Sequence, residues 1–173
     1  MDQVTLITGG ARSGKSTHAL ALAGAHRGRR RAFVATGQAL DDEMAARIAH
    51  HKSSRPADFI TVEEPLEVAA ALEALAGRAD VVVLDCVTLW VANLMGSRVA
   101  EDAFHFKAGR LAAALASASF ASIVVTDEVG SGIVPDNPAA RQFRDYLGWT
   151  NQKIAAVADR VILMVAGLPM RVK

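Results

Sequence analysis

The chain of 173 residues has one cysteine, Cys86, which excludes any intrachain disulfide framework. Aromatic residues make up 5% of it against 51% apolar residues. Ala, Val, Leu and Ile must therefore fill the core, which favours small-residue helices packed on a sheet over aromatic cages. Charge of one sign is also lacking: 19 basic and 18 acidic residues leave a formal net charge of +1, with no polyanion signature for nucleic acid. The one basic cluster, Arg27 to Arg31, is short and reads as a solvated turn. No apolar run reaches the length of a membrane span. The residues after Met1 lack the basic-then-apolar order of a secretory signal. A cytoplasmic chain with no membrane span is expected. No linker, repeat or low-complexity tract divides it, so 1–173 reads as a single nucleotide-binding and transferase domain.

Short apolar runs alternate with helical patterns from end to end. Strands are expected at Val4 to Thr8, Arg31 to Thr36, Phe59 to Val62, Val81 to Leu84, Ser122 to Thr126 and Val161 to Val165, with a short edge strand near Met170 to Val172. The main runs are continuously apolar, as in strands covered on both faces. Helical patterns follow Ser16, span Leu40 to His51 and Leu66 to Leu75, and recur at Leu89 to Leu94 and Phe104 to Leu115. Ala139 to Ala158 reads as one or two helices, with Gly148 as a weak point. The expected fold is α/β, three-layered and P-loop NTPase-like, around a mostly parallel central sheet. Strand order is not legible from these patterns.

The first strand runs into Gly9-Gly10-Ala11-Arg12-Ser13-Gly14-Lys15-Ser16. This is a complete Walker A pattern in its proper place, strand before and helix after. Its backbone N–H groups and the helix N-terminus can cradle phosphate. Lys15 is expected to reach the β- and γ-phosphates, and the Ser16 hydroxyl to ligate Mg²⁺. The pattern does not separate a hydrolase from a kinase or a nucleotidyltransferase. Asp85, directly after an apolar strand, is the favoured second magnesium anchor. It can alternatively cap the helix that follows, and Asp127 and Glu128 hold a similar place after a later strand. Glu63, directly after Val62, is counted among the nucleotide-binding candidates. Cys86 reads as a small core residue.

Arg47 and His50 lie one turn apart near the end of their helix. Arg47 can hold a nucleotide phosphate or pair with Glu43. His50 can act as a nucleophile or simply favour the negative end of the helix. Spacing alone leaves both choices open. A single-activity P-loop kinase and a nucleotide-regulated interaction protein also stand as readings of these motifs.

The sequence resembles the bifunctional adenosylcobinamide kinase / adenosylcobinamide-phosphate guanylyltransferase family of cobalamin biosynthesis over almost its whole length. The resemblance rests on Thr8 to Ser16, Ala35-Thr36, and Leu40-Asp41-Asp42-Glu43-Met44-Ala45-Ala46-Arg47-Ile48-x-His50-His51-Lys52-x-x-Arg55-Pro56. It continues in Leu84-Asp85-Cys86-Val87-Thr88-Leu89-Trp90-x-x-Asn93-Leu94, Glu128-Val129-Gly130-x-Gly132-Ile133-Val134-Pro135, Arg141-x-Phe143-Arg144-Asp145, Asn151-Gln152 and Ala166-Gly167-Leu168-Pro169. It implies phosphorylation of adenosylcobinamide with GTP or ATP. Transfer of GMP from GTP to that phosphate then follows, through a guanylylated histidine matched by His50, with pyrophosphate released. It also implies Mg²⁺ held by Ser16 and Asp85, and a homo-oligomer, typically a trimer. Asp127 departs from the pattern, standing where many relatives have Asn. The stretch between Asn93 and Phe104 is short.

Overall fold

The computed structural model describes residues 3–53 and 56–173. Its strands are β1 (Val4–Gly9), β2 (Arg31–Ala35), β3 (Phe59–Glu63), β4 (Val81–Asp85), β5 (Ala121–Val125), β6 (Arg160–Val165) and β7 (Leu168–Arg171). The helices are α1 (Lys15–Ala25), α2 (Asp42–Ser53), α3 (Val68–Glu73), α4 (Val87–Gly96), α5 (Glu101–Ser117) and α6 (Pro138–Val157). The strands form one sheet in the order β3-β2-β4-β5-β1-β6-β7. The pairings are parallel except that β7 returns antiparallel to β6.

Successive residues of each strand face opposite layers. Leu6, Val34, Val82, Leu84 and Val124 join a core built with α3, α4, α5 and α6, while Ile7, Phe33, Val83 and Val125 join a smaller one under Ala19 and Ala23 of α1. Val81 to Leu84 are each at most 1% exposed, which is why these four successive positions are all apolar. The expected three-layer α/β architecture is observed. Among the described residues no helix is long and apolar enough to cross a membrane.

The segment around Gly148 forms one uninterrupted helix of 20 residues. Asn137 caps it by accepting from the Ala139 and Ala140 N–H groups, with Pro138 in the first turn. Tyr146, Leu147, Thr150 and Ile154 bury one face. That burial outweighs the roughly 1 kcal/mol cost of an interior glycine. Two arginines of the basic cluster are used structurally: Arg30 pairs with Asp80, and Arg31 with Asp58. Hydrogen bonds from the Arg30 side chain hold the Asp80 carboxyl down at about 2.

Candidate active site

The loop between β1 and α1 is shaped by two glycines. Gly9 has φ +147°, and a Cβ there would lie 2.6 Å from the Met164 carbonyl oxygen and 2.9 Å from Ser13 Oγ. Gly14, at φ +93°, precedes α1, and no side chain caps that helix. Its first-turn N–H groups are thus left to an anion. The Ser13 carbonyl accepts from the Gly167 N–H at 3.1 Å, so the β6–β7 turn buttresses the loop. Ala11 and Arg12 are exposed on the loop and Ser16 is half-buried. Lys15 is 8% exposed. Its Nζ donates to the Gly10 carbonyl at 2.7 Å and pairs with Asp127 Oδ1 at 2.6 Å.

The carboxylates are ranked by strand order. Ile7, Val125, Asp85, Ala35 and Glu63 stand in register across β1, β5, β4, β2 and β3. At about 4.8 Å per strand, Asp85 lies roughly 10 Å from the P-loop strand and Glu63 roughly 19 Å. Asp127 follows β5, the strand bonded directly to β1, and the next residue donates its N–H to the Gly9 carbonyl at 3.2 Å. The acid in contact with the P-loop lysine is therefore Asp127, with Asp85 one strand further out. Nothing local in the sequence separates these two strand-end aspartates; the order of β4 and β5 does.

Asp85 does not cap α4. That place is taken by Cys86, whose Sγ accepts from the Leu89 N–H at 3.4 Å. Burial, followed by the Asp85 charge, pushes the Cys86 thiol up to about 12, which keeps it protonated and unreactive at neutral pH. Thr36 exchanges hydrogen bonds with the backbone of Cys86. Asn93 Nδ2 donates to the Thr36 and Pro65 carbonyls. These bonds fix the ends of β2 and β4 and account for Thr36 and Asn93 in the motif blocks. Trp90 is in the core and donates to the Leu66 carbonyl at 2.9 Å. The loop after Asp127 is pinned from α6: Arg144 donates to the Gly130 and Ile133 carbonyls, and Arg141 to those of Pro135 and Asp136.

Helix α2 begins with the Asp41 carboxylate accepting from the Met44 N–H at 2.7 Å. No described residue of α2 is buried. Ile48 lies over Gly37 beside Leu89, and Lys52 pairs with Glu63. The structure does not bring Glu63 to the P-loop; it ties Glu63 to the end of the helix that carries His50. The side chains of Arg47 and His50 lie outside the described residues. Described side chains that bury so little surface hold a helix only weakly, and it opens at low free energy. Its amide hydrogens should exchange at least about tenfold faster than those of α5, whose Leu111 and Leu115 are fully buried. Hydrogen–deuterium exchange with peptide resolution measures this directly, and protection by GTP would show that nucleotide docks against α2.

The donors fit magnesium. Ser16 supplies a hydroxyl, and Asp85 and Asp127 supply carboxylates at adjacent strand ends, all oxygen ligands suited to a hard cation. Among the described residues no group of three His, Cys, Asp or Glu side chains forms a cage. That is the usual situation for magnesium, which is completed by substrate phosphates and water.

A phosphate loop between β1 and α1, at a mostly parallel sheet covered on both faces, defines a P-loop nucleotide-binding protein. Solved structures agree on the fold. The type III secretion ATPase EscN of enteropathogenic Escherichia coli superposes with TM-score 0.62 at 13% identity, covering 95% of this chain and 43% of that one. A prototypical ATPase of the type III secretion system of pathogenic bacteria gives 0.58 at 12% identity over 98% of this chain and 56% of that one. The profile of the cobinamide kinase / cobinamide phosphate guanyltransferase family matches residues 5–172, and the chain belongs to that family. It is accordingly a bifunctional enzyme with the two activities of the family name. The bifunctional adenosylcobalamin biosynthesis protein CobU of Escherichia coli K12 is 41% identical over 97% of this chain and 98% of its own length. The corresponding protein CobP of Pseudomonas aeruginosa is 44% identical over 97% and 96%.

Proposed function

We propose that this chain works as one transferase domain on adenosylcobinamide, with the P-loop serving the nucleotide in both reactions and His50 serving only the second. In the first, the substrate hydroxyl oxygen attacks Pγ of GTP or ATP and gives up its proton to water, and the nucleoside diphosphate departs with the bonding pair. In the second, an imidazole nitrogen of His50 attacks Pα of GTP. A P–N bond forms, the bond from Pα to the bridging oxygen breaks, and pyrophosphate leaves. An oxygen of adenosylcobinamide phosphate then attacks Pα and returns the bonding pair to His50, giving adenosylcobinamide-GDP. The observation that carries this reading is the phosphate cradle: an uncapped α1 N-terminus behind Gly14, with the Lys15 ammonium held at the loop. Magnesium bound by Ser16 and a strand-end aspartate would offset charge on the phosphates.

Lys15 holds positive charge where the leaving phosphates gather it. Gly9 to Ser16 bind the phosphates, with Arg12 exposed for a further contact. Arg47, one turn before His50 on α2, is suited to the α-phosphate. Helix α2 stands beyond the end of β2, three strands from β1, so guanylyl transfer needs the nucleotide to extend along the sheet edge or α2 to move inward. The small surface buried by the described side chains of α2 favours the second. The exposed apolar residues Val165 at the end of β6, Leu168 and Met170 on β7, and Val172 just beyond it suit a homo-oligomer, for which we propose the trimer.

Intact-protein mass spectrometry after incubation with GTP and Mg²⁺, quenched at neutral to alkaline pH, tests the covalent step. The parent should carry one GMP, and His50→Ala none. Pyrophosphate release from the parent without any adduct would refute the histidine intermediate.

A further inference from the structure

We propose that Asp127 is a built-in counter-ion of the P-loop lysine that makes nucleotide binding depend on a divalent cation. The proposal rests on the reading of Lys15 as a phosphate ligand. In the structure Lys15 Nζ is held between the Gly10 carbonyl at 2.7 Å and Asp127 Oδ1 at 2.6 Å. The Lys15 side chain is 9% exposed, and that of Asp127 27%. A cation so little hydrated needs a compensating anion, and Asp127 is that anion until a phosphate takes its place.

Asp127 is also held where it stands. Its N–H donates to Thr88 Oγ1 at 2.8 Å, from the first turn of α4. Its carbonyl accepts from Asn151 Nδ2 at 3.0 Å, from α6. Asn151 Oδ1 accepts in turn from Thr126 Oγ1 at 2.7 Å. Both neighbours of Asp127 in the chain are tethered as well, Thr126 N–H to the Ile7 carbonyl and Glu128 N–H to that of Gly9. The backbone cannot carry the charge away when nucleotide arrives; only the side chain can turn.

A triphosphate seated on the loop therefore meets a fixed negative charge within the reach of Lys15. The metal-free triphosphate is repelled and must also compete for the ammonium. A divalent cation between phosphates and strand-end carboxylates removes the repulsion and gives Asp127 a new partner as Lys15 turns to phosphate. An uncharged side chain of the same shape would leave Lys15 open to either form of the nucleotide.

Calorimetric titration with guanosine 5′-(α,β-methylene)triphosphate, which cannot donate GMP, tests this in Mg²⁺ and in EDTA. The parent should lose at least about tenfold in affinity in EDTA. Asp127→Asn should bind the metal-free analogue at least about tenfold tighter than the parent and so narrow the Mg²⁺ dependence. Equal metal-free affinity of parent and variant overturns the proposal. So does a variant weakened only in Mg²⁺, which would make Asp127 a metal ligand and nothing more. Asp127→Ser carries the same comparison if the amide variant does not fold, and a parent indifferent to Mg²⁺ overturns the proposal without any variant. Lys15→Ala separates the two levels: unchanged affinity there would refute the role of Lys15 itself, whatever Asp127 does.

Discussion

Lys15→Ala should lower phosphoryl transfer and guanylyl transfer together, each by about 10²–10³-fold, the loss expected for one preorganised electrostatic partner of a developing anion. The reason is geometric. Lys15 is 8% exposed and is held at the loop by the Gly10 carbonyl, so no water occupies its role cheaply. Truncation also leaves the Asp127 carboxylate without its cation, facing the phosphates. His50→Ala should behave differently. Guanylyl transfer should fall by about 10³-fold or more, as for loss of a covalent nucleophile, while kinase turnover persists. Separate assays of cobinamide phosphate formation and of pyrophosphate release distinguish these patterns. A parallel fall of both activities in His50→Ala would place that residue in nucleotide binding instead of covalent catalysis. Restoration of part of the nucleotide affinity of Lys15→Ala by adding Asp127→Asn would show that repulsion by the stranded carboxylate contributes to the loss.

Gly9→Ala should destabilise the fold and weaken the phosphate loop together. At φ +147° an L side chain is strained, and the new carbon would sit 2.6 Å from the Met164 carbonyl oxygen. That oxygen belongs to β6, which is bonded to β1 along its length with Gly9 opposite Met164, so neither strand can yield alone. Backbone strain and overpacking together should destabilise the fold by about 2–4 kcal/mol. In a chain of this length that lowers the melting temperature by roughly 5–15 °C. Nucleotide affinity should fall as well, because the loop must open to admit the methyl. Thermal unfolding monitored by circular dichroism, with and without GTP, measures both. A variant that melts with the parent would mean that the β1–β6 contact relaxes freely.

Much of this chemistry is legible in the order of the amino acids alone. The Walker A residues name their own chemistry, because the glycine, lysine and hydroxyl spacing is local and the backbone between them is short. The apolar runs of β1, β4 and β5 announce strands covered on both faces. The blocks around His50 and after Asp127 mark the family. Element ends shift by one to three residues from the sequence pattern, as at the start of α5, where capping decides them. Cys86, not Asp85, caps α4, because the residue at a strand end that turns inward is set by the sheet.

The phosphate loop, the fold class and the family can all be read from the order of residues, since each rests on residues close together in the chain or on a period repeated along it. It took the three-dimensional arrangement to show which acid meets Lys15, that Glu63 pairs with Lys52 of α2, and that the described side chains of α2 bury little surface. Those facts depend on strand order. The insertion of β5 between β1 and β4 brings residue 127 to residue 15 across 112 positions of chain, and no local pattern records it. It follows from how seven strands share two hydrophobic faces.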